Sequence, residues 1–220
     1  MERQFDLDLG QLKQKLLAMA GLATSNISMA IRALVERNEK YTSQILSQEE
    51  QINSLQMEID NYCLELIARW QPVAADLRFL VSAIKINSEL ERIGDLASNI
   101  NEATIRLLTE PKLKPLIDIP RMAEIAQKMV NDAIDSFVKK DSHLAQTVLT
   151  RDDTVDNYRD QIFRELLTYM LQDQTTTPRA LQLILISRSL ERVADHSTNI
   201  AEDVIYLVEG VDIRHHIERK

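Results

Sequence analysis

The chain has 220 residues, a net charge of −8, one cysteine, four glycines and five prolines, enough material for one domain or two small ones with a real core. A hydrophobic share of 45% against 27% charged residues excludes a disordered chain, and acidity with no Lys/Arg-rich stretch argues against nucleic acid as the main partner. Cys63 stands alone and has no mate for an internal disulfide, as fits a reducing compartment.

The opening "MERQFDLDLG" has no basic segment followed by an apolar one, so no secretory signal is expected. No apolar run approaches the roughly 18 residues needed to span a bilayer. A cytoplasmic chain is expected, peripheral to the inner membrane only through partners and with no direct membrane insertion. Leu, Ile, Ala, Glu, Gln and Arg abound, which favours helix over sheet. Apolar periodicity predicts helices over residues 8–37, 41–70 and 73–109, the first two joined by the short "RNEKYT". "EPKLKPLIDIP" follows, and Pro111, Pro115 and Pro120 make residues 111–120 a linker, because each proline removes a backbone donor and disfavours helix just before it. Three more helices are expected over 119–140, 142–171 and 178–209, with "KKDSH" as the short connection. In "TTTPRAL", Thr177 is the expected N-cap and Pro178 the first helical residue. Short connections make antiparallel neighbours, so the fold class is all-α, with six long helices in two up-down-up three-helix bundles over 1–110 and 121–220.

The halves repeat. "LERIGDLASNINE" at 90–102 recurs as "LERVADHSTNIAE" at 190–202, displaced by 100 positions. The middle helices match more loosely, "EEQINSLQMEI" at 49–59 with "DDTVDNYRDQI" at 152–162, which sets Glu49 against Asp152 and Asn53 against Asp156. Shared apolar positions such as Ile52 and Val155 follow from any duplicated bundle, whereas shared polar positions do not.

On a helix Glu91, Asp95, Asn99 and Glu102 are expected within one narrow sector, and Glu191, Asp195, Asn199 and Glu202 repeat them. Acids one turn apart repel by a few tenths of a kcal/mol. An antiparallel bundle would set Glu49 with Asn53, or Asp152 with Asp156, against the third-helix pair of the same half. Such a cluster takes up protons or collects metal, because unpaired like charges in a partly dry site are costly. All-oxygen donors select hard cations, and nothing supplies the thiolates of a structural zinc site. The blander reading of each pair is a solvated helix face helped by Arg92 or Arg192. The candidate metal ligands are Glu49, Asn53, Glu91, Asp95, Asn99, Asp152, Asp156, Glu191, Asp195 and Asn199. Gly94 and Ala194 allow close helix approach. His196, whose counterpart is Leu96, is expected to be a partly exposed polar residue, and His143, His215 and His216 have no helical partner for a metal motif. Trp70 is read as an anchor at the end of the second helix.

With these features in place the chain resembles the PhoU family of phosphate-uptake regulators, most specifically in "ARWQPVAADLRFLV", "LERIGDLASNI" and "SLERVADHSTNIAEDVIYLVEG". The resemblance implies two pseudo-symmetric three-helix bundles, with multinuclear clusters of divalent or trivalent metal (Mg, Mn, Fe or Zn) at E/D-x-x-x-D motifs. It implies a cytoplasmic, homodimeric negative regulator between the ATPase subunit of a phosphate ABC transporter and a PhoR-type sensor histidine kinase. By position the motifs fall on Glu91 with Asp95, Glu191 with Asp195, Asp152 with Asp156, and Glu49 with Asn53. Asn53 departs from the pattern with a neutral oxygen, so the first-half site is expected to be the weaker. Two other readings compete. A di-metal carboxylate enzyme would need Glu-x-x-His ligands, and no Glu is followed three residues later by His; a non-enzyme is therefore expected. The other is a structural helical scaffold that binds nothing.

Overall fold

The computed structural model describes residues 4–213, which form six long helices and no strand. They are α1 (Gln4–Glu36), α2 (Thr42–Trp70), α3 (Ala74–Leu108), α4 (Asp118–Lys139), α5 (Ser142–Gln172) and α6 (Thr177–Glu209). In the first half, Trp70 at the end of α2 donates from Nε1 to Asp8 near the start of α1 at 3.0 Å. Arg37, just past the end of α1, donates to the Leu108 carbonyl at the end of α3 at 3.0 Å. So α2 runs against α1 and α3, the up-down-up order expected from the short connections.

The halves meet through α1, α3, α4 and α6, and their buried apolar residues form one continuous core, with α2 and α5 on its flanks. Phe79 of α3 stacks on Phe137 of α4 with ring centroids 4.7 Å apart, both rings fully enclosed. Burying such a ring stabilises the fold by roughly 1.5–3 kcal/mol. At the centre α3 and α6 run antiparallel: Lys85 reaches Asp203 and Glu89 reaches Asn199, steps of four in opposite directions. This pairing is a pseudo-twofold that exchanges residue n of α3 with residue n + 100 of α6.

Three local expectations need correction. Helix α6 begins at Thr177 itself; the capping carboxylate is Asp173, which accepts from Thr175 N at 2.9 Å and starts a 3-10 turn that runs into the helix. The proline-rich segment is tied down, not free: Leu113 and Leu116 pack on the core, buried Lys114 pairs with Glu165, and Arg179 donates to the Pro111 carbonyl. Pro120 lies inside the first turn of α4, where no intrahelical N–H is required. Finally, α1 is long and apolar enough to cross a membrane by length and mean hydropathy, contrary to the reading that no segment approaches this. Over half of its apolar window is buried in the core.

Candidate metal centres at two acidic seams

Helices α2 and α3 come close where Ile52 lies over Gly94. A Cβ on Gly94 would stand 3.1 Å from Ile52 Cδ1 and 3.2 Å from its Cγ2, tighter than ordinary packing. Glu49 and Asn53 flank Ile52 by three residues back and one forward, and Glu91 and Asp95 flank Gly94 by the same steps. One close approach therefore gathers both expected pairs along one seam. Burial pushes the Asp95 carboxyl up, and the Glu49 charge across the seam adds to it. Burial and then Asp95 push Glu91 up, against Arg92 and His196. Ser98 Oγ donates to Glu49 Oε2 at 2.6 Å and fixes that carboxylate toward α3.

In the second half Val155 and Ala194, both fully buried, hold the places of Ile52 and Gly94. The two pairs carry the same total of side-chain carbon, with one methyl moved from one helix to the other. Around them Asp152 is pushed up to about 6, first by burial and then by Asp195, Asp156, Asp153 and Glu191. Asp195 is also raised, by burial, Glu191 and Asp156. The α5 acids thus face the α6 acids, as the repeat register requires.

The second seam holds a residue the sequence reading missed. Arg159 Nη1 lies 2.9 Å from Asp156 Oδ1 and 2.7 Å from Glu191 Oε1, so a guanidinium bridges the two helices inside the acidic cluster. Its place three residues after Asp156 was the available signal. The repeat register gives Gln56 as its counterpart. Four carboxylates less one guanidinium leave the second seam the same formal charge as the three carboxylates of the first. Asn53 alone therefore does not rank the two seams.

Asn99 and Asn199 are placed elsewhere. Each four-residue step turns about 40° around the helix, so the third residue of a 91-95-99 series has drifted about 80° from the first. That drift carries Asn99 to a cavity between α3 and α6, which Glu102 also lines. Asn199 Nδ2 donates to Glu89 Oε2 at 3.0 Å. Ser98, not Asn99, stays over the seam. His196 also departs from expectation: it is 7% exposed, and its Nδ1 lies 2.7 Å from the same Glu89 oxygen. Burial alone would raise Glu89, but the hydrogen bonds from His196 and Asn199 and the charges of His196 and Arg92 outweigh it and hold the carboxyl below its ordinary value. Trp70 is an anchor, its ring 6.0 Å from that of Phe5. His215 and His216 lie outside the described residues.

The family model of the PhoU domain matches this chain twice, over residues 16–104 and 119–204. The chain belongs to the PhoU family. Among curated proteins it is 42% identical over 214 residues to the phosphate-specific transport system accessory protein PhoU homolog of Aquifex aeolicus, covering 97% of each chain. It is 39% identical over 216 residues to the homolog of Pseudomonas aeruginosa, covering 98% of this chain and 89% of that one. The fold matches the crystal structure of PhoU from Pseudomonas aeruginosa with a TM-score of 0.90 and 39% identity, over 94% of this chain and all of that one. A second match is the phosphate transport system regulatory protein PhoU from Streptococcus pneumoniae, with a TM-score of 0.86 and 29% identity, over 96% and 99% of the chains.

In this PhoU-family fold the seams are open acid pairs. Among the described residues no three Asp, Glu, His or Cys side chains converge as a ready-made cation cage. The donor chemistry nevertheless fits a hard cation: the facing carboxylates are oxygen-only, partly desolvated, and raise one another's affinity for a proton.

Proposed function

We propose that this chain is an accessory protein of a phosphate-specific transport system and a negative regulator of phosphate uptake and the phosphate-starvation response. The observation that carries the reading is likeness to PhoU proteins over nearly the whole chain, in both halves of the repeat. The action is docking and not catalysis. The chain works in the cytoplasm as a homodimer, between the ATPase subunit of the phosphate ABC transporter and a PhoR-type sensor kinase. Hard cations at the seams would neutralise the facing acids, with Glu49, Glu91 and Asp95 as ligands in the first half and Asp152, Asp156, Glu191 and Asp195 in the second. The relieved repulsion would tie α2 to α3 and α5 to α6, stiffening the flank of each bundle.

Two experiments address the parts separately. Cells that lack this chain should express alkaline phosphatase and the phosphate transporter even in high phosphate; continued repression would sink the regulatory reading. For the metal, chelator-stripped protein is dialysed against Mn²⁺ and its content measured. Wild type should retain metal, and Glu91→Ala with Asp95→Ala, or Glu191→Ala with Asp195→Ala, should each lose part of it. No uptake by wild type removes the metal.

A further inference from the structure

The pseudo-twofold between α3 and α6 is broken along their shared seam, and the break leaves a cavity on one side. On the filled side Glu89 takes hydrogen bonds from His196 and Asn199, while Lys85 Nζ donates to Asp203 at 3.0 Å and lies 6.0 Å from the centre of the Tyr206 ring. Exchange by 100 positions turns Glu89 into Ser189, Lys85 into Leu185, Asp203 into Ala103 and Tyr206 into Arg106. Ser189, Leu185 and Ala103 are shorter and uncharged where the filled side has its linked charges, and a cavity of about 300 Å³ opens between the helices where they and Arg106 stand.

The same exchange strips the acids from the arginines. Arg92 on the filled side has Glu89 at 3.9 Å. Its counterpart Arg192 lines the cavity and has Ser189 in that place. Arg188 stands where the filled side has Ser88, and neither Arg188 nor Arg192 makes a salt bridge among the described residues. Arg106, reaching in from α3, has Glu102 at 3.9 Å, the one acid lining the space. Three guanidiniums against one carboxylate leave the cavity positive in a chain whose net charge is −8. Gln182, also in the wall, has a buried Oε1 with no partner in the protein.

We propose that this cavity binds a small phosphate-bearing anion of two or more charges. Guanidinium donors come from two opposed helices. Tetrahedral phosphoryl oxygens accept from several directions at once, whereas a planar carboxylate matches a single fork. The occupant is assigned as a free small molecule, and phosphatidic acid vesicles test a headgroup held in a bilayer. The site lies between α3 and α6, apart from the acidic seams of α2–α3 and α5–α6, and stands independently of metal binding.

The test is calorimetric titration of chelator-treated protein with pyrophosphate at constant ionic strength. Wild type should bind one pyrophosphate per chain saturably, with citrate at least about ten-fold weaker. Arg188→Gln with Arg192→Gln should weaken pyrophosphate at least about ten-fold. Ala103→Asp with Leu185→Lys copies the pair that already packs on the filled side, and should block binding while the thermal midpoint holds. The proposal is overturned by absence of saturable heat, by either variant folding and binding like wild type, or by citrate binding as tightly. Flotation with phosphatidic acid vesicles without pyrophosphate binding would overturn the free-ligand assignment.

Discussion

Ile52 and Gly94 form a contact in which one residue's bulk depends on the other's lack of it: no Cβ fits on Gly94 without displacing the Ile52 side chain. Gly94→Ala gains helix propensity of about 1 kcal/mol but presses on a fully enclosed neighbour, so the single change is expected to be neutral or destabilising. Combined with Ile52→Val it reproduces the Val155–Ala194 packing of the other half. The double variant should be more stable than the sum of the singles by about 1 kcal/mol in urea unfolding. Simple additivity would contradict the contact.

Arg159 competes with any cation at the second seam. Arg159→Gln installs the residue that the first seam has at Gln56 and frees Asp156 and Glu191. Release from two partly exposed ion pairs of roughly 0.5–1 kcal/mol each implies Mn²⁺ binding tighter by about five- to thirty-fold. Titration of chelator-stripped wild type and variant measures this; equal affinities would show that the arginine does not occupy the site.

Asp152 holds its proton to about pH 6 in the folded chain, against 3.8 for the ordinary carboxyl. Between those values the folded state binds more protons than the unfolded one, so this residue's contribution makes stability fall as pH rises through that window. Its partial exposure keeps the slope well below the full linkage value. In metal-free buffer the urea midpoint of wild type should fall, relative to Asp152→Asn, between about pH 4 and pH 6. Parallel profiles would mean that neither burial nor the neighbouring acids raise it.

The Glu89–His196 link joins the two halves across their buried interface. Glu89→Ser alone leaves a buried imidazole without its acceptor and should cost about 1–3 kcal/mol. Adding His196→Leu reproduces the Ser189–Leu96 pair of the opposite side and should recover most of that loss. A double variant as unstable as Glu89→Ser would show that the opposite side is not a valid template.

The sequence by itself determined the six helices, their up-down-up order and the doubled acidic pairs. Those features are written in apolar periodicity, proline placement and a 100-residue repeat, all local along the chain. It also carried Gly94, whose meaning needed Ile52 opposite to be complete. Only the tertiary structure decided which residues of each polar stripe face which neighbour. A drift of about 40° per four residues cannot be assigned to a partner until the neighbouring helices are placed, and so Asn99 and Asn199 turn toward the α3–α6 interface while Ser98 stays over the seam. His196 and Arg159 were misread or missed for the same reason: their partners, Glu89 and Glu191, lie 107 and 32 residues away. The repeat suggests equal halves, but packing them antiparallel pairs each position with a different one. Unequal substitutions there fill one side of the interface with linked charges and leave the other open and lined with arginine.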